Sequence, residues 1–450
     1  SYIAKEINKN PICIITYNEI QAKKLIENLK YFNENIVYIP KKEIVTYDYI
    51  AESKDLLYER IEAINRIKIG KADIIVTTIE AVMQPVIPEK VLYKDILEFK
   101  EQKIYNLEEL KTKLVNLGYE RCELIEGRGQ FSIRGGIVDI AISNSRGVRI
   151  EFWGDEIDSI RIFNISSQRS IENLKEIKIY PAHEYILEKN IEKVCDEIIN
   201  KYNENEQLLA DIEQIKNGNY AGKIDKYFDC FYSKKESILN YLSNKYLIFI
   251  DEETKLKARS ENIINDNNLV IKSLLDKEKI VPNILEIIYK YQDIEEILNK
   301  YQLVYLEKND IISNRENIYN FTFREVNYTK NSMEILFEDI INAIDAEKKV
   351  IILGGNEENA KKVSLLLLEN EIPHKYIEKL DKQVETGKVI VTKGLLSTGF
   401  ESYDLGLMVI SGEELFNKET KKRKKPNVTF NQSEKVVFAD LKVGDYVVHR

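Results

Sequence analysis

Apolar and polar residues alternate with period two through most of residues 131–162. This alternation predicts half-buried strands. The pair Gly135-Gly136 interrupts the first strand, as expected where a bulge or a close backbone approach excludes a Cβ atom. Compositions typical of turns at 143–147 and 154–156 separate the later strands. We therefore expect a compact antiparallel sheet of three to four strands.

One face of this predicted sheet is expected to carry charged and aromatic side chains. Arg149, Glu151, Arg161 and Trp153, the sole tryptophan of the chain, are assigned to the outer face. Arginine suits a docking face because its planar guanidinium forms paired hydrogen bonds with carboxylates. The pattern leaves open which side of the sheet would meet a partner.

Short apolar strands alternate with amphipathic helices before this segment. Strands are predicted at 12–16, 36–39 and 74–78, and helices at 19–32 and 56–69. Fully apolar strands that alternate with helices argue for a parallel sheet covered by helices.

The same alternation returns later in the chain. Residues 181–242 are predicted to be mainly helical, and a buried strand is expected at 246–250. A further small α/β unit is predicted from strands at 350–353, 389–392 and 407–410 and from a helix at 357–370.

Length and charge bound the function. A chain of 450 residues is expected to form two to four domains. A net charge of −9 argues against a dedicated duplex-binding protein, since phosphate contacts supply most of that affinity. The basic run at 418–425 is predicted to be an exposed linker, with nucleic-acid binding as the alternative. No run of eighteen apolar residues occurs, and the first residues lack the apolar core of a signal peptide.

The cysteines and histidines do not form a recognisable metal site. No two cysteines form a CxxC pair, so we expect buried free thiols and a reducing cytoplasm. The three histidines stand far apart without carboxylate or cysteine partners at ligand spacing. The residues concerned are Cys13, Cys122, Cys195, Cys230, His183, His374 and His449.

Asp251 and Glu252 follow a predicted apolar strand, which is the position of the acidic pair in nucleotide-hydrolysing helicases. There the aspartate holds Mg²⁺ and the glutamate positions the attacking water. That chemistry also needs a glycine-rich phosphate loop of the form GxxxxGK[ST], which is absent from the 450 residues. We therefore interpret the pair as a degenerate motif and expect no catalytic residue.

Several long motifs together resemble the bacterial transcription-repair coupling factor family. They are GYERCELIEGRGQFSIRGGIVDI at 118–140, RIEFWGDEIDSIRIF at 149–163, SQRS at 167–170 and YPAHE at 180–184. GLLSTGF at 394–400 and the final LKVGDYVVHR support the same resemblance. The match is specific because these motifs occur in the order of the family.

The resemblance implies the fold class and its domains. It predicts an α/β multidomain chain, in which a helicase-like parallel-sheet domain is split by an inserted small antiparallel-sheet α+β domain and followed by a second small α/β domain. The implied boundaries are 1–90 and 181–325 for the two parts of a UvrB-like domain, 91–180 for the inserted UvrA-binding domain, 326–417 for a small α/β domain of unclear role, 418–435 for the basic linker and 436–450 for the start of an RNA polymerase-interacting domain.

The resemblance also implies partners and sites. The inserted domain would bind UvrA, with Arg149, Phe152, Arg161, Phe163 and Arg169 as the candidate contacts. The β subunit of RNA polymerase would bind the domain that begins near residue 436 and includes Gly444, Asp445 and Tyr446. The translocase motor, with its ATP, Mg²⁺ and main DNA contacts, is expected beyond residue 450, so no cofactor is expected in this chain.

A UvrB-type DNA-dependent ATPase of excision repair is the alternative function. UvrB shares the RGG and FGDEI motifs found here as RGG at 134–136 and WGDEI at 153–157. However, UvrB carries a long aromatic hairpin after its YDY-like segment, whereas here Tyr47-Asp48-Tyr49 leads almost directly into the helix predicted from residue 56. The sequence therefore favours a cytoplasmic interaction module that recruits UvrA to stalled polymerase and restrains the motor.

Overall fold

The computed structural model describes residues 11–31, 33–42, 54–202, 205–219, 221–276, 288–308, 317–326, 333–378 and 384–412. The described residues divide into two compact units. One unit contains residues 23–34 together with those from 317 to 412, and the other contains the remaining described residues up to 308.

The strands of the described residues are, in chain order, β1 (Ile12–Thr16), β2 (Ile36–Ile39), β3 (Ile74–Thr78), β4 (Leu97–Lys100), β5 (Glu120–Arg121), β6 (Gln130–Arg134), β7 (Ile137–Ala141), β8 (Arg146–Trp153), β9 (Glu156–Asn164), β10 (Ser170–Leu174), β11 (Glu176–Ile179), β12 (Leu247–Asp251), β13 (Gln302–Leu306), β14 (Phe323–Val326), β15 (Lys349–Leu353), β16 (His374–Tyr376), β17 (Val389–Thr392), β18 (Gly399–Ser402) and β19 (Leu407–Ser411).

The helices of the same residues are α1 (Glu19–Leu29), α2 (Lys54–Lys68), α3 (Ile79–Met83), α4 (Glu89–Leu92), α5 (Leu107–Asn116), α6 (Ile191–Lys201), α7 (Glu206–Lys216), α8 (Ala221–Ile224), α9 (Phe228–Phe231), α10 (Glu253–Asp276), α11 (Tyr291–Leu298), α12 (Met333–Asp345) and α13 (Glu357–Glu369), with a 3₁₀ turn at Ile238–Tyr241. Among these residues no helix is both long and apolar enough to cross a membrane.

A parallel sheet of five strands forms the first layer, in the order β13-β12-β1-β3-β2. Its central strands are almost fully buried because their residues are apolar on both faces. Strands β1 to β3 precede residues 97–179 in the chain, and β12 and β13 follow them. Both parts of the chain therefore contribute to one sheet.

A sheet of six strands forms from residues 120–174, in the order β10-β9-β8-β7-β6-β5. All neighbours are antiparallel except the short pair β5 and β6. One face packs on a core that includes Leu110 and Leu114 of α5 and Phe99 of β4. Asn106 caps α5, since its side-chain oxygen accepts hydrogen bonds from the amides of Glu108 and Glu109.

Buried ion pairs join the segment that precedes the six-stranded sheet in the chain to the segment that follows it. The Nε atom of Arg60, on α2, lies 2.6 Å from a carboxylate oxygen of Glu184, and both side chains are almost fully buried. Lys42 and Asp225 form a second buried pair at 2.7 Å. Loss of one partner from such a pair strongly destabilises the fold, because the other charge stays buried without compensation.

The second unit contains a mixed sheet in the order β14-β18-β19-β15-β17-β16. The strands β15, β16, β17 and β19 run parallel, whereas β14 and β18 pair antiparallel at one edge. Helices α12 and α13 contribute to the same core against one face of the sheet.

The parallel and antiparallel sheets confirm the predicted α/β multidomain class. The predicted strands at 12–16, 36–39, 74–78 and 389–392 have the predicted bounds. The prediction of three to four antiparallel strands was wrong, because the sheet has six. Its two outer strands escaped the pattern, since β5 has only two residues and β10 is exposed along nearly all its length.

Candidate functional site

The candidate site is the face of the six-stranded sheet that lies opposite its apolar core. Strand pairing places one polar residue from each of five neighbouring strands in a single row across this face. The row consists of Ser132, Asp139, Arg149, Arg161 and Asn173, in that order from β6 to β10. We call it the charged row. Alternation turns the residues between them, such as Val148 and Ile150, into the core.

Asp139 is the buried centre of the charged row. Its side chain is 1% exposed, and one oxygen accepts a hydrogen bond of 2.7 Å from Nε of Arg149. The other oxygen accepts bonds of 2.9 Å from Arg149 and 2.7 Å from Arg134. Hydrogen bonding to Asp139 holds the pKa of the Arg149 guanidinium above its ordinary value. The paired bonds fix the plane of that guanidinium.

Arg149 also makes contacts on its other side. A guanidinium nitrogen donates a hydrogen bond of 2.9 Å to the side-chain oxygen of Gln168, in the turn between β9 and β10. The guanidinium carbon lies 4.4 Å from the ring centroid of Phe163. Arg149 is therefore preorganised, because an anion, an amide and an aromatic ring all restrain it.

Arg161 is held by a neighbouring acid and remains partly open to solvent. It forms an ion pair with Glu151, and both side chains are about 30% exposed. The hydroxyl of Ser159 donates a hydrogen bond of 2.9 Å to the second oxygen of Glu151. A guanidinium has five N–H donors. Glu151 is the single hydrogen-bond acceptor of the Arg161 side chain among the described residues, so further donors of Arg161 remain available to a partner.

The two candidate phenylalanines are both buried in this structure. Phe152 is 9% exposed and belongs to the core of the six-stranded sheet. Phe163 is fully buried on the opposite face, in a small cluster with Ile125, Ala141 and Ile165. Its ring lies against Gly147, where a Cβ atom would stand only 2.6 Å from it. Neither ring is accessible to a partner, and Phe163 instead supports the guanidinium of Arg149.

Arg169 lies at the edge of the same face. It is exposed in the turn that joins β9 to β10, and its carbonyl accepts a hydrogen bond of 2.9 Å from the amide of Asn164. The structure therefore places Arg149 and Arg161 on neighbouring strands of one face, and Arg169 directly after Gln168, which contacts Arg149. Sequence reasoning missed Asp139 and Arg134, although a single aspartate between apolar residues in β7 was a visible signal.

Asp251 and Glu252 lie elsewhere, at the carboxyl edge of the parallel sheet. One oxygen of Asp251 accepts hydrogen bonds of 2.8 Å from the hydroxyl of Thr16 and 3.3 Å from the side-chain amide of Gln21. Glu252 has a positive φ of 58° and forms an ion pair of 2.6 Å with Lys255. Both acids are thus engaged by groups of the chain itself.

Burial raises the pKa of Asp251, and the charge of Glu252 adds to the effect. A carboxyl group with a raised folded-state pKa stabilises the fold below its unfolded pKa, and this contribution is lost as pH rises through the folded pKa. Ionisation of Asp251 is therefore less favourable in the folded chain than in the unfolded chain. Perturbed carboxyl groups of this kind are typical of functional sites, but structural networks produce them too.

The same edge carries a second ion cluster. Glu80, in α3, lies 2.8 Å from the ammonium of Lys41 and 2.9 Å from the guanidinium of Arg259. The carboxylate of Glu80 is therefore already paired with two positively charged side chains of the chain itself. In the part of the chain that the structure describes, no group of three or more His, Cys, Asp or Glu side chains is placed to hold a metal ion.

The remaining predicted features lie outside the described residues. They are the basic linker at 418–435 and the polymerase-binding candidates Gly444, Asp445 and Tyr446.

Comparison with known proteins gives one match for the segment that contains the site and another for the whole chain. Residues 97–185, which include the charged row, match the family model of the UvrB interaction domain. The chain is 30% identical to the transcription-repair-coupling factor of Bacillus subtilis (strain 168) over 100% of its own length and 40% of that protein. It is 27% identical to the transcription-repair-coupling factor of Staphylococcus aureus (strain Mu50 / ATCC 700699) over 97% of its length and 39% of that protein. The chain thus spans about 40% of the length of these relatives, and the predicted resemblance is confirmed.

Proposed function

We propose that this chain, which corresponds to an N-terminal part of the transcription-repair coupling factors, binds UvrA through the charged row of its six-stranded sheet. The observation that carries the proposal is the coincidence of two features. The segment that matches an interaction domain is also the segment in which Arg149 and Arg161 are held by acids on the sheet face opposite the apolar core.

The geometry of the charged row suits recognition of an acidic or carbonyl-rich protein surface. Arg149 and Arg161 stand directly opposite each other on β8 and β9, and their guanidinium groups bind different acids, Asp139 and Glu151. Each is held by an acid of the same face, which lowers the entropy lost when a partner binds. Arginine is also among the residues that most often dominate the energy of protein interfaces.

The row differs from an ordinary set of surface ion pairs in its degree of order. Exposed pairs of long side chains contribute little, because both side chains must be immobilised for each contact. Here Asp139 is buried and fixes Arg149 through two bonds, while Gln168 and Phe163 restrain the same group. A surface that is already ordered before binding favours a specific partner.

We further propose that the chain recruits UvrA to RNA polymerase stalled at lesions, and that in the longer relatives this half also restrains the motor and masks the UvrA-binding face. The similarity to coupling factors along the whole chain supports the assignment. We propose no catalytic role for this chain. Asp251, which a nucleotide site would need, accepts hydrogen bonds from Thr16 and Gln21, and Glu252 forms an ion pair with Lys255.

The experiment is a calorimetric titration of the chain with purified UvrA, which measures the affinity of the complex. Saturable binding is expected, and binding should weaken when the longer coupling factor replaces the chain, because the face would then be masked. Absence of binding would overturn the docking function. Equal affinity for the chain and for the longer protein would overturn the masking alone.

A further inference from the structure

Trp153 is the most exposed large apolar side chain of the described residues, and it is the sole tryptophan of the chain. It ends β8 and is 86% exposed, immediately before the turn at Gly154. Exposure of an indole ring to water is unfavourable relative to its burial, because removing apolar surface from water lowers the free energy. Tryptophan is also strongly enriched among the dominant residues of protein interfaces.

A second exposed apolar side chain stands in the same place. Ile104 is 76% exposed and pairs with Glu156, which itself pairs with Trp153. Backbone hydrogen bonds of 2.8 Å from Tyr105 to Asp155 and 3.0 Å from Ile157 to Lys103 fix this arrangement. Directly opposed residues of neighbouring strands point to one face. Trp153 and Ile104 therefore lie on either side of Glu156, and we call these two apolar residues the apolar tip.

The apolar tip belongs to the same face as the charged row. Trp153 follows Arg149 by four residues on β8, so alternation turns both side chains to one side of the sheet. At about 3.3 Å per residue the two Cα atoms are roughly 13 Å apart. A single partner of ordinary interface size spans both, since each side of such an interface covers about 800 Å².

The backbone beneath Trp153 is rigidly held. Phe152 is buried, and its amide donates a hydrogen bond of 2.7 Å to the carbonyl of Gly136. A Cβ atom at Gly136 would stand 2.7 Å from the carbonyl oxygen of Phe152, so these two strands approach closely. The indole is thus presented by an ordered strand end, which lowers the entropy cost of its burial in a complex.

Charge at the apolar tip indicates the chemistry of its occupant. Asp155 and Glu156 stand two and three residues after Trp153 and are exposed, as is Asp158 on β9. None of these three acids forms an ion pair within the described part of the chain. Lys103, which precedes Ile104, is an exposed basic residue of the neighbouring segment. Exposed acids close to exposed apolar side chains fit a pocket that is apolar at its base and basic at its rim.

We propose that Trp153, assisted by Ile104, is an apolar anchor of the docking surface and inserts into a pocket of the partner protein that is lined by apolar residues and rimmed by Lys or Arg. This inference rests on the proposed function, since it assigns a second contact region to the same partner. The charged row then sets orientation, and the apolar tip supplies buried area.

The test compares the affinity of purified UvrA for the chain and for its Trp153→Ala variant. Loss of the anchor should weaken binding by about 30-fold or more, which is the range of strong interface residues. The fold should be unaffected, because the side chain is almost wholly exposed. Val115→Ala is the matched control, since Val115 is 53% exposed on α5 of the same segment, and it should bind as the wild type does.

A spectroscopic readout separates contact from indirect effects. 5-Fluorotryptophan labels position 153 alone, so the chain gives one ¹⁹F resonance, which should shift and become insensitive to D₂O when UvrA binds. Two results would each overturn the anchor and leave the docking function intact. One is a ¹⁹F resonance that UvrA does not change. The other is a Trp153→Ala variant whose affinity for UvrA stays within threefold of the wild type while charged-row variants lose binding. A wild-type chain that does not bind UvrA would overturn both.

Discussion

Replacing Glu184 by alanine should lower the free energy of unfolding of the unit that contains the parallel and six-stranded sheets by about 3–5 kcal/mol. Arg60 would then keep its charge in a site where its side chain is 1% exposed. Its remaining partner of the described residues is the carbonyl of Pro40, and one guanidinium nitrogen already has no hydrogen-bond partner among them. Denaturant unfolding monitored by the circular dichroism of the tyrosines measures the change in the free energy of unfolding.

The control is Lys68→Ala on the same helix. Lys68 forms an ion pair with Glu89, but the two side chains are 38% and 32% exposed, so its loss should cost less than about 1 kcal/mol. The double variant Arg60→Met/Glu184→Leu should recover most of the lost stability, because no buried charge remains. A Glu184→Ala variant as stable as Lys68→Ala would contradict this account of the buried pair.

Exchanging the charges of Glu151 and Arg161 should weaken UvrA binding by about 30- to 1,000-fold, the effect expected for a strong interface residue. The Glu151→Arg/Arg161→Glu variant keeps an ion pair at the same place, so it should fold as the wild type does. It nevertheless places an acid where the partner meets an arginine, and like charges across an interface are strongly unfavourable. Calorimetric titration with UvrA gives the affinity.

A matched exchange elsewhere serves as the control for this variant. Glu357 and Lys361 form an exposed ion pair of 2.6 Å on α13, and the Glu357→Lys/Lys361→Glu variant should bind UvrA with unchanged affinity. If the exchange at 151 and 161 leaves affinity within threefold of the wild type while the chain remains folded, Arg161 is not part of the docking surface.

Much of the fold was predictable because local patterns decide it. Period-two alternation predicted β7, β8 and β9, and unbroken apolar runs predicted the parallel strands. The start of α5 is also marked locally, since the capping residue Asn106 directly precedes an amphipathic run. These features depend on neighbours within a few residues along the chain.

Contacts between residues far apart in the chain could not be predicted from any local pattern. The bond between Thr16 and Asp251 joins residues 235 positions apart. Phe163 is buried because Gly147, on the next strand, leaves room for its ring, and this required the register of β8 and β9. The same register shows that Asp139 holds Arg149, which sequence reasoning had treated as a free contact.

The most direct test of the docking surface is a photo-crosslink from β10, the edge strand next to Arg161. Asn173 is exposed on β10 opposite Arg161, so benzoylphenylalanine at this position faces the proposed partner. Leu209, which is 48% exposed on α7, is the control position. Irradiation with UvrA should give a crosslinked product from position 173 and none from position 209. A product from position 209 without one from position 173 would contradict the assignment of this face as the UvrA-binding surface.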